Sequence, residues 1–118
     1  MKILIACAVI LLVAVGISLY RRKSMERLFR LPQGEILVID VRSKQEYDAG
    51  HFSTAINIPH DQIAGRIKEF EPYRHKQIVV YCHSGNRSAI AVSVLRQNGF
   101  ENVANAGGYD AIKRFDTK

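Results

Sequence analysis

The chain has 118 residues, with 17 Lys and Arg against 11 Asp and Glu and a formal charge of +6. That length predicts one domain, and the charge raises a nucleic acid or an anionic membrane as partner. Residues 1–30 hold six bases and one acid, whereas residues 31–118 hold eleven bases and ten acids, so the folded part carries only +1 and lacks the basic footprint of a nucleic-acid binder.

From Ile3 to Tyr20 the chain runs 18 residues without a charge, interrupted only by Gly16 and Ser18. As a helix it spans about 27 Å, close to a bilayer core of about 30 Å. A domain this small cannot surround a helix that is apolar on every face, which sets aside a buried core helix. A cleaved secretory signal is the stronger competitor. The run exceeds the usual signal core of about 7–15 residues, however, and Arg21-Arg22-Lys23 follows it directly. Residues 1–23 are therefore read as a transmembrane helix with a basic flank, the membrane being met through residues 3–20. Lys2 precedes the span and Arg21, Arg22, Lys23, Arg27 and Arg30 follow it, which places the C-terminal part in the cytoplasm by the positive-inside rule. The alternative is an exported protein with this segment as signal peptide.

Residues 24–33 form a juxtamembrane linker in which Met25, Leu28 and Phe29 have the spacing of a short helix continuing from the span, closed by Pro32-Gln33-Gly34. Residues 34–118 form the domain. Glu35–Asp40, a run rich in β-branched residues, predicts a strand buried on both faces. Ser43–Ala49 predicts a short helix and Ala55–Ile58 a second strand. Asp61 is placed to cap a helix carrying Ile63, Ile67 and Phe70 on one face. Gln77–Tyr81 predicts a third strand, Asn86–Asn98 a helix stopped by Gly99, Asn102–Ala104 a weak fourth strand and Asp110–Phe115 a last short helix. Alternating strands and helices give an α/β fold with a mostly parallel sheet of four to five strands flanked by helices.

Cys7 and Cys82 are the only cysteines, and Cys7 lies in the apolar run, so no internal disulfide is expected and Cys82 stands as a lone thiol. It follows the third strand and precedes a helix, where α/β sheets bind ligands. The joining segment is Cys82-His83-Ser84-Gly85-Asn86-Arg87. A tight loop entering a helix turns successive amides toward one point, and a thiol there is stabilised as the nucleophilic thiolate. Gly85 permits a backbone angle that a side chain forbids, Asn86 tolerates such geometry, and Arg87 adds a fixed charge with forked donors suited to an anion. The pattern describes a cysteine that attacks, or takes an atom from, an anionic substrate. A small buried apolar residue at a strand end is the plainer reading of Cys82.

Val38-Ile39-Asp40-Val41-Arg42, Glu46-Tyr47, Gly50-His51, Ala55, Asn57-Ile58-Pro59, Tyr81 to Ser88, Gly99-Phe100, Asn102-Val103 and Gly107-Gly108, in this order, resemble a single-domain rhodanese across roughly residues 34–115. The resemblance implies a sulfurtransferase: Cys82 takes sulfane sulfur from a small anionic donor such as thiosulfate, holds it as a persulfide and passes it to a thiol or protein acceptor, with no metal or organic cofactor. It also implies that residues His83, Ser84, Gly85, Asn86 and Arg87 form the substrate-binding loop. Cdc25-type phosphatases and arsenate reductases share the fold with Cys-x5-Arg, but here that position is Ser88 and Arg87 closes a shorter Cys-x4-Arg loop, which favours sulfur over phosphoryl transfer. A rhodanese-like module that binds a partner without turnover is the other alternative. Phe52-Ser53-Thr54-Ala55 and Ile112 depart from the family's usual turn and aromatic residue.

Asp40 and Arg42 are expected to pair near Glu46 and support the loops. Tyr47 and Tyr109 are read as packing residues, and Asp48 and Asp61 as helix-end groups. His83 adjoins the cysteine and can contact substrate. With His51, His60 and His75 it has no metal-ligand spacing, so no metal site is expected.

Overall fold

The computed structural model describes residues 1–117 and divides into two units, Met1–Arg30 and a second beginning at Leu31. The first is one unbroken helix, α1 (Lys2–Phe29), so the apolar run and the expected helical turn through Met25, Leu28 and Phe29 are continuous. None of its residues is buried, and Ile10 and Leu12 are among its exposed apolar side chains. It is long and apolar enough to cross a membrane. Its last turn carries an i, i+4 pair between Arg30 and Glu26 at 2.8 Å.

In the second unit, a 3-10 turn at Gln33–Glu35 leads into β1 (Ile36–Asp40). Helix α2 (Lys44–Asp48) begins at a capping box: the Ser43 hydroxyl accepts from the Glu46 amide and the Glu46 carboxylate accepts from the Ser43 amide, both at 3.2 Å. After it come β2 (Ile56–Asn57), β3 (Gln77–Cys82), α3 (Asn86–Gln97), β4 (Val103–Gly108) and α4 (Tyr109–Ile112), the last followed by a 3-10 turn to Phe115. The strands form one parallel sheet in the order β2-β1-β3-β4, an α/β fold with four strands rather than five. The segment from Ser24 to Phe29, where a further strand would have to begin, is helical.

One expected helix is corrected. Residues 60–73 are two 3-10 stretches, His60–Gln62 and Ala64–Tyr73, and Asp61 lies inside the first without capping anything through its side chain. The α-helix fails because Arg66 takes a non-helical backbone angle beside Gly65, and Pro72 cannot supply an amide. The apolar spacing still buries Ile63 and Phe70, and Ile67 packs against the same core.

β1 and β3 are central, and Val38, Ile39, Val79 and Val80 are buried on both faces of the sheet. Phe70 and Phe100 meet edge to face at 6.4 Å between centroids beneath Leu95 of α3. α3 ends at Gly99, whose φ of +88° turns the chain, and the Phe100 amide closes back on the Leu95 carbonyl at 3.1 Å. β4 is longer than its sequence suggests. It follows β3 past an irregularity at Val80/Tyr81 until Cys82 stands opposite Gly108.

Candidate active site

β3 delivers Cys82 to the carboxyl edge of the sheet, and the chain then turns through His83-Ser84-Gly85 into α3. Gly85 caps α3 with a φ of +97°, the left-handed angle expected of it, whereas Asn86 already lies in the helix. Two further glycines shape the seat. A side chain on Gly108 would run into the His83 carbonyl, and one on Gly85 would sit 3.4 Å from the Gly107 Cα. The Gly107-Gly108 pair at the end of β4 is thus what lets the loop close down on the sheet.

The turn brings the Gly85 amide 2.9 Å from the Cys82 Sγ, with the Ser88 hydroxyl 3.4 Å away. Cys82 is only 1% exposed and Ser88 is fully buried, while His83, Ser84 and Asn86 face solvent. Burial pushes the Cys82 thiol up. Contacts with the Ser88 hydroxyl and with the amides of Ser88, Ser84 and Gly85 outweigh it and hold the thiol below its ordinary value. The environment is that of an anion nest at a helix N-terminus, filled by a sulfur atom.

Of the sequence-predicted residues, Cys82 lies at the centre, and His83, Ser84 and Gly85 form the rim. Arg87 is held by a group from another element: its two terminal nitrogens reach the two carboxylate oxygens of Glu46 on α2 at 2.7 and 3.0 Å. This pair draws the Glu46 carboxyl down to about 2. Its fork therefore stitches α3 to α2, and the charge it offers the loop is already balanced.

Asp40 and Arg42 pair as expected, at the end of β1. The Arg42 guanidinium donates to Asp40 through Nε and Nη2, the latter at 2.7 Å, and also to the Gly50 carbonyl. The Tyr81 hydroxyl donates to Asp40 at 2.8 Å and accepts from the Phe52 amide at 3.0 Å; burial pushes this phenol up, so it remains neutral. Arg42 also lies 4.8 Å from the Tyr109 ring centre, and Tyr109 stacks near Tyr81. Tyr47 donates to the Ala55 carbonyl at 2.8 Å and stacks on His51, a supporting role. No cluster of metal-ligating side chains occurs among the described residues.

Two residues that sequence reasoning did not single out belong to the site. Ser88 touches the sulfur, and Asn105 of β4 bonds Ser88, Gly85 and Gly107 together. The signal for Ser88 is its place directly after Arg87, at the end of the segment from Tyr81 to Ser88. Asn105 carries no local signal, because its partners lie across the sheet.

Residues 26–115 match the Rhodanese-like domain. Thiosulfate sulfurtransferase PspE of Escherichia coli K12 is 39% identical over 74 residues, covering 63% of this chain and 71% of that protein. A tRNA uridine(34) hydroxylase of Erwinia tasmaniensis is 36% identical over 90 residues, covering 73% of this chain but 26% of that protein, so the chain spans about a quarter of the length of such relatives. Among solved structures, a rhodanese with anions from E. coli superposes with a TM-score of 0.62 at 36% identity, over 65% of this chain and 91% of the other.

Proposed function

The chain belongs to the rhodanese-like domain family, and on that premise we propose that it is a membrane-tethered sulfurtransferase whose carrier atom is the Cys82 Sγ. The observation that carries this reading is the seat of Cys82: a buried thiol, held below its ordinary value, with a backbone amide 2.9 Å from sulfur.

The chemistry follows from that seat. The Cys82 thiolate attacks the outer sulfur of a donor such as thiosulfate. A sulfur–sulfur bond forms at Cys82, the donor's own sulfur–sulfur bond breaks, and sulfite leaves with its electron pair. The negative charge now rests on the terminal persulfide sulfur, inside the same ring of amides. A thiophilic acceptor, a thiolate or cyanide, then takes that sulfur, and Cys82 departs as thiolate. Charge is conserved in both steps, and neither needs a metal or an organic cofactor. The spacing of four residues between Cys82 and Arg87, and the engagement of Arg87 by Glu46, support sulfur transfer over phosphoryl transfer, because the loop's own arginine is already paired and offers a phosphate dianion less charge.

Helix α1 supports tethering through residues 3–20, and the basic residues that follow the span support a cytoplasmic domain. The test uses membranes from cells expressing the full chain, pelleted and washed at high pH. With thiosulfate and cyanide they should release thiocyanate, and Cys82 should gain the mass of one sulfur atom when cyanide is omitted. Cys82→Ser should abolish both, a loss of at least about 10³-fold in rate. Equal release from the Cys82→Ser membranes would overturn the enzyme, and activity found wholly in the wash would overturn the tether.

A further inference from the structure

The Asn105 amide has an orientation dictated by the backbone. The Gly107 N–H, which can only donate, lies 2.9 Å from its Oδ1, and the Gly85 carbonyl, which can only accept, lies 3.1 Å from its Nδ2. The oxygen therefore faces Ser88, at 2.7 Å from Oγ. The Ser88 hydroxyl has one proton and three acceptors within reach: Asn105 Oδ1 at 2.7 Å, the Gly85 carbonyl at 3.0 Å and the Cys82 sulfur at 3.4 Å. Two lone-pair oxygens at 2.7 Å repel unless a proton lies between them, so the short contact fixes the resting state. The Ser88 hydroxyl thus donates to Asn105 Oδ1 and presents a lone pair to sulfur, which suits a protonated thiol.

We propose that Asn105 is a positioning residue that competes with the Cys82 sulfur for the Ser88 proton, so that the hydroxyl is parked on Asn105 while Cys82 is a thiol or carries a second sulfur and swings to Cys82 when it is a bare thiolate. In the persulfide the inner sulfur is neutral and accepts weakly, and the hydroxyl has no reason to leave Asn105. When an acceptor removes the outer sulfur, charge returns to Sγ and the proton follows, stabilising the leaving thiolate at the moment it forms. The strength of the Asn105 acceptor therefore sets how acidic the thiol is. This deepens the assignment of Cys82 as the sulfur carrier and rests on it.

The test reads the thiol directly, so failure of the proposal and failure of the sulfur-transfer assignment are separately visible. The full chain in detergent is alkylated with iodoacetamide across pH, and peptide mass spectrometry follows Cys82 apart from Cys7. Asn105→Leu removes the competing acceptor at a position that opens on a groove beside Ala89 and Val92, where the side chain has room. Its profile should move to lower pH, giving about threefold faster Cys82 alkylation at pH 6.5. Asn105→Asp strengthens the acceptor facing Ser88 and adds a negative charge while giving up the bond to the Gly85 carbonyl, and it should move the profile the other way. In a Ser88→Ala background the Leu substitution should change nothing. The charged groups around the loop are Arg87 with Glu46 on α2, Arg42 with Asp40 at the end of β1, His83 in the loop, and Asp110 on α4 with Lys113 just after it; all are kept in every variant. A purely structural role would instead loosen the amide seat and raise the profile in both Asn105 variants. That result, an unmoved profile in Asn105→Leu, or the same shift in Ser88→Ala, would overturn the proposal.

Discussion

The carboxyl ends of β1 and β3 lie side by side, with Asp40 in register with Tyr81, yet they are finished in opposite ways. At the end of β1 every charge has its counter-charge. Asp40 is fully buried and accepts from the Arg42 amide, the Arg42 guanidinium and the Tyr81 hydroxyl. At the end of β3 the Cys82 sulfur meets amides and a hydroxyl and forms no ion pair; Arg87, whose charge also bears on it, has its fork turned to Glu46. A tight ion pair makes a loop rigid by making it electrostatically complete. A ring of dipoles leaves the central atom free to gain, lose and relocate a negative charge.

The sharpest way to break the contrast is to uncouple the β1 end. Asp40→Ala strands Arg42 and the Tyr81 hydroxyl without their buried acceptor and should cost about 3–5 kcal/mol in urea unfolding. A loss below about 1 kcal/mol would mean that water replaces the carboxylate and that the β1 end is not closed. Gly108→Ala tests the β3 end. Its methyl group enters the space of the His83 carbonyl, so the loop must lift from the sheet. Overpacking there should cost about 1–3 kcal/mol, with thiocyanate release falling about tenfold or more as the amide seat opens. Gly65→Ala, whose new methyl group meets nothing, serves as the control. The smallest effect concerns the bond between the two regions. Glu46 is held at about 2, chiefly by Arg87, so the stability it lends is complete above the ordinary carboxylate value of about 4.3 and is lost as pH falls through the native value. The pair is about one-third exposed. Between pH 5 and 2 the protein should therefore lose under about 1 kcal/mol more than Glu46→Gln does, measured by chemical denaturation at each pH.

Much of this was legible along the chain because it depends on near neighbours. The runs at Glu35–Asp40 and Gln77–Tyr81 declare buried strands by composition, and the Gly85 and Gly99 angles follow from what only glycine tolerates. What stayed hidden depends on distance in sequence. Glu46 and Arg87 are 41 residues apart, and Ser88 and Asn105 are 17 apart, so neither pairing is written in a local pattern. The extension of β4 from Ala104 to Gly108 ran against propensity. Asn105, Ala106 and two glycines form a strand only because β3 pairs with them. At residues 60–73 the apolar period is legible and the helix type is not, because the hydrophobic face is satisfied by either helix while Arg66 and Pro72 decide the backbone.

The depth of Cys82 has a consequence for recognition. At 1% exposure the empty protein shows solvent almost no sulfur. A bonded sulfur would extend the reactive end of the side chain by about 2 Å. On the proposed sulfur-carrier reading, a partner that touches this sulfur would meet a different surface before and after loading. On that reading, burial of one atom would act as a loading signal, written in depth rather than in conformation.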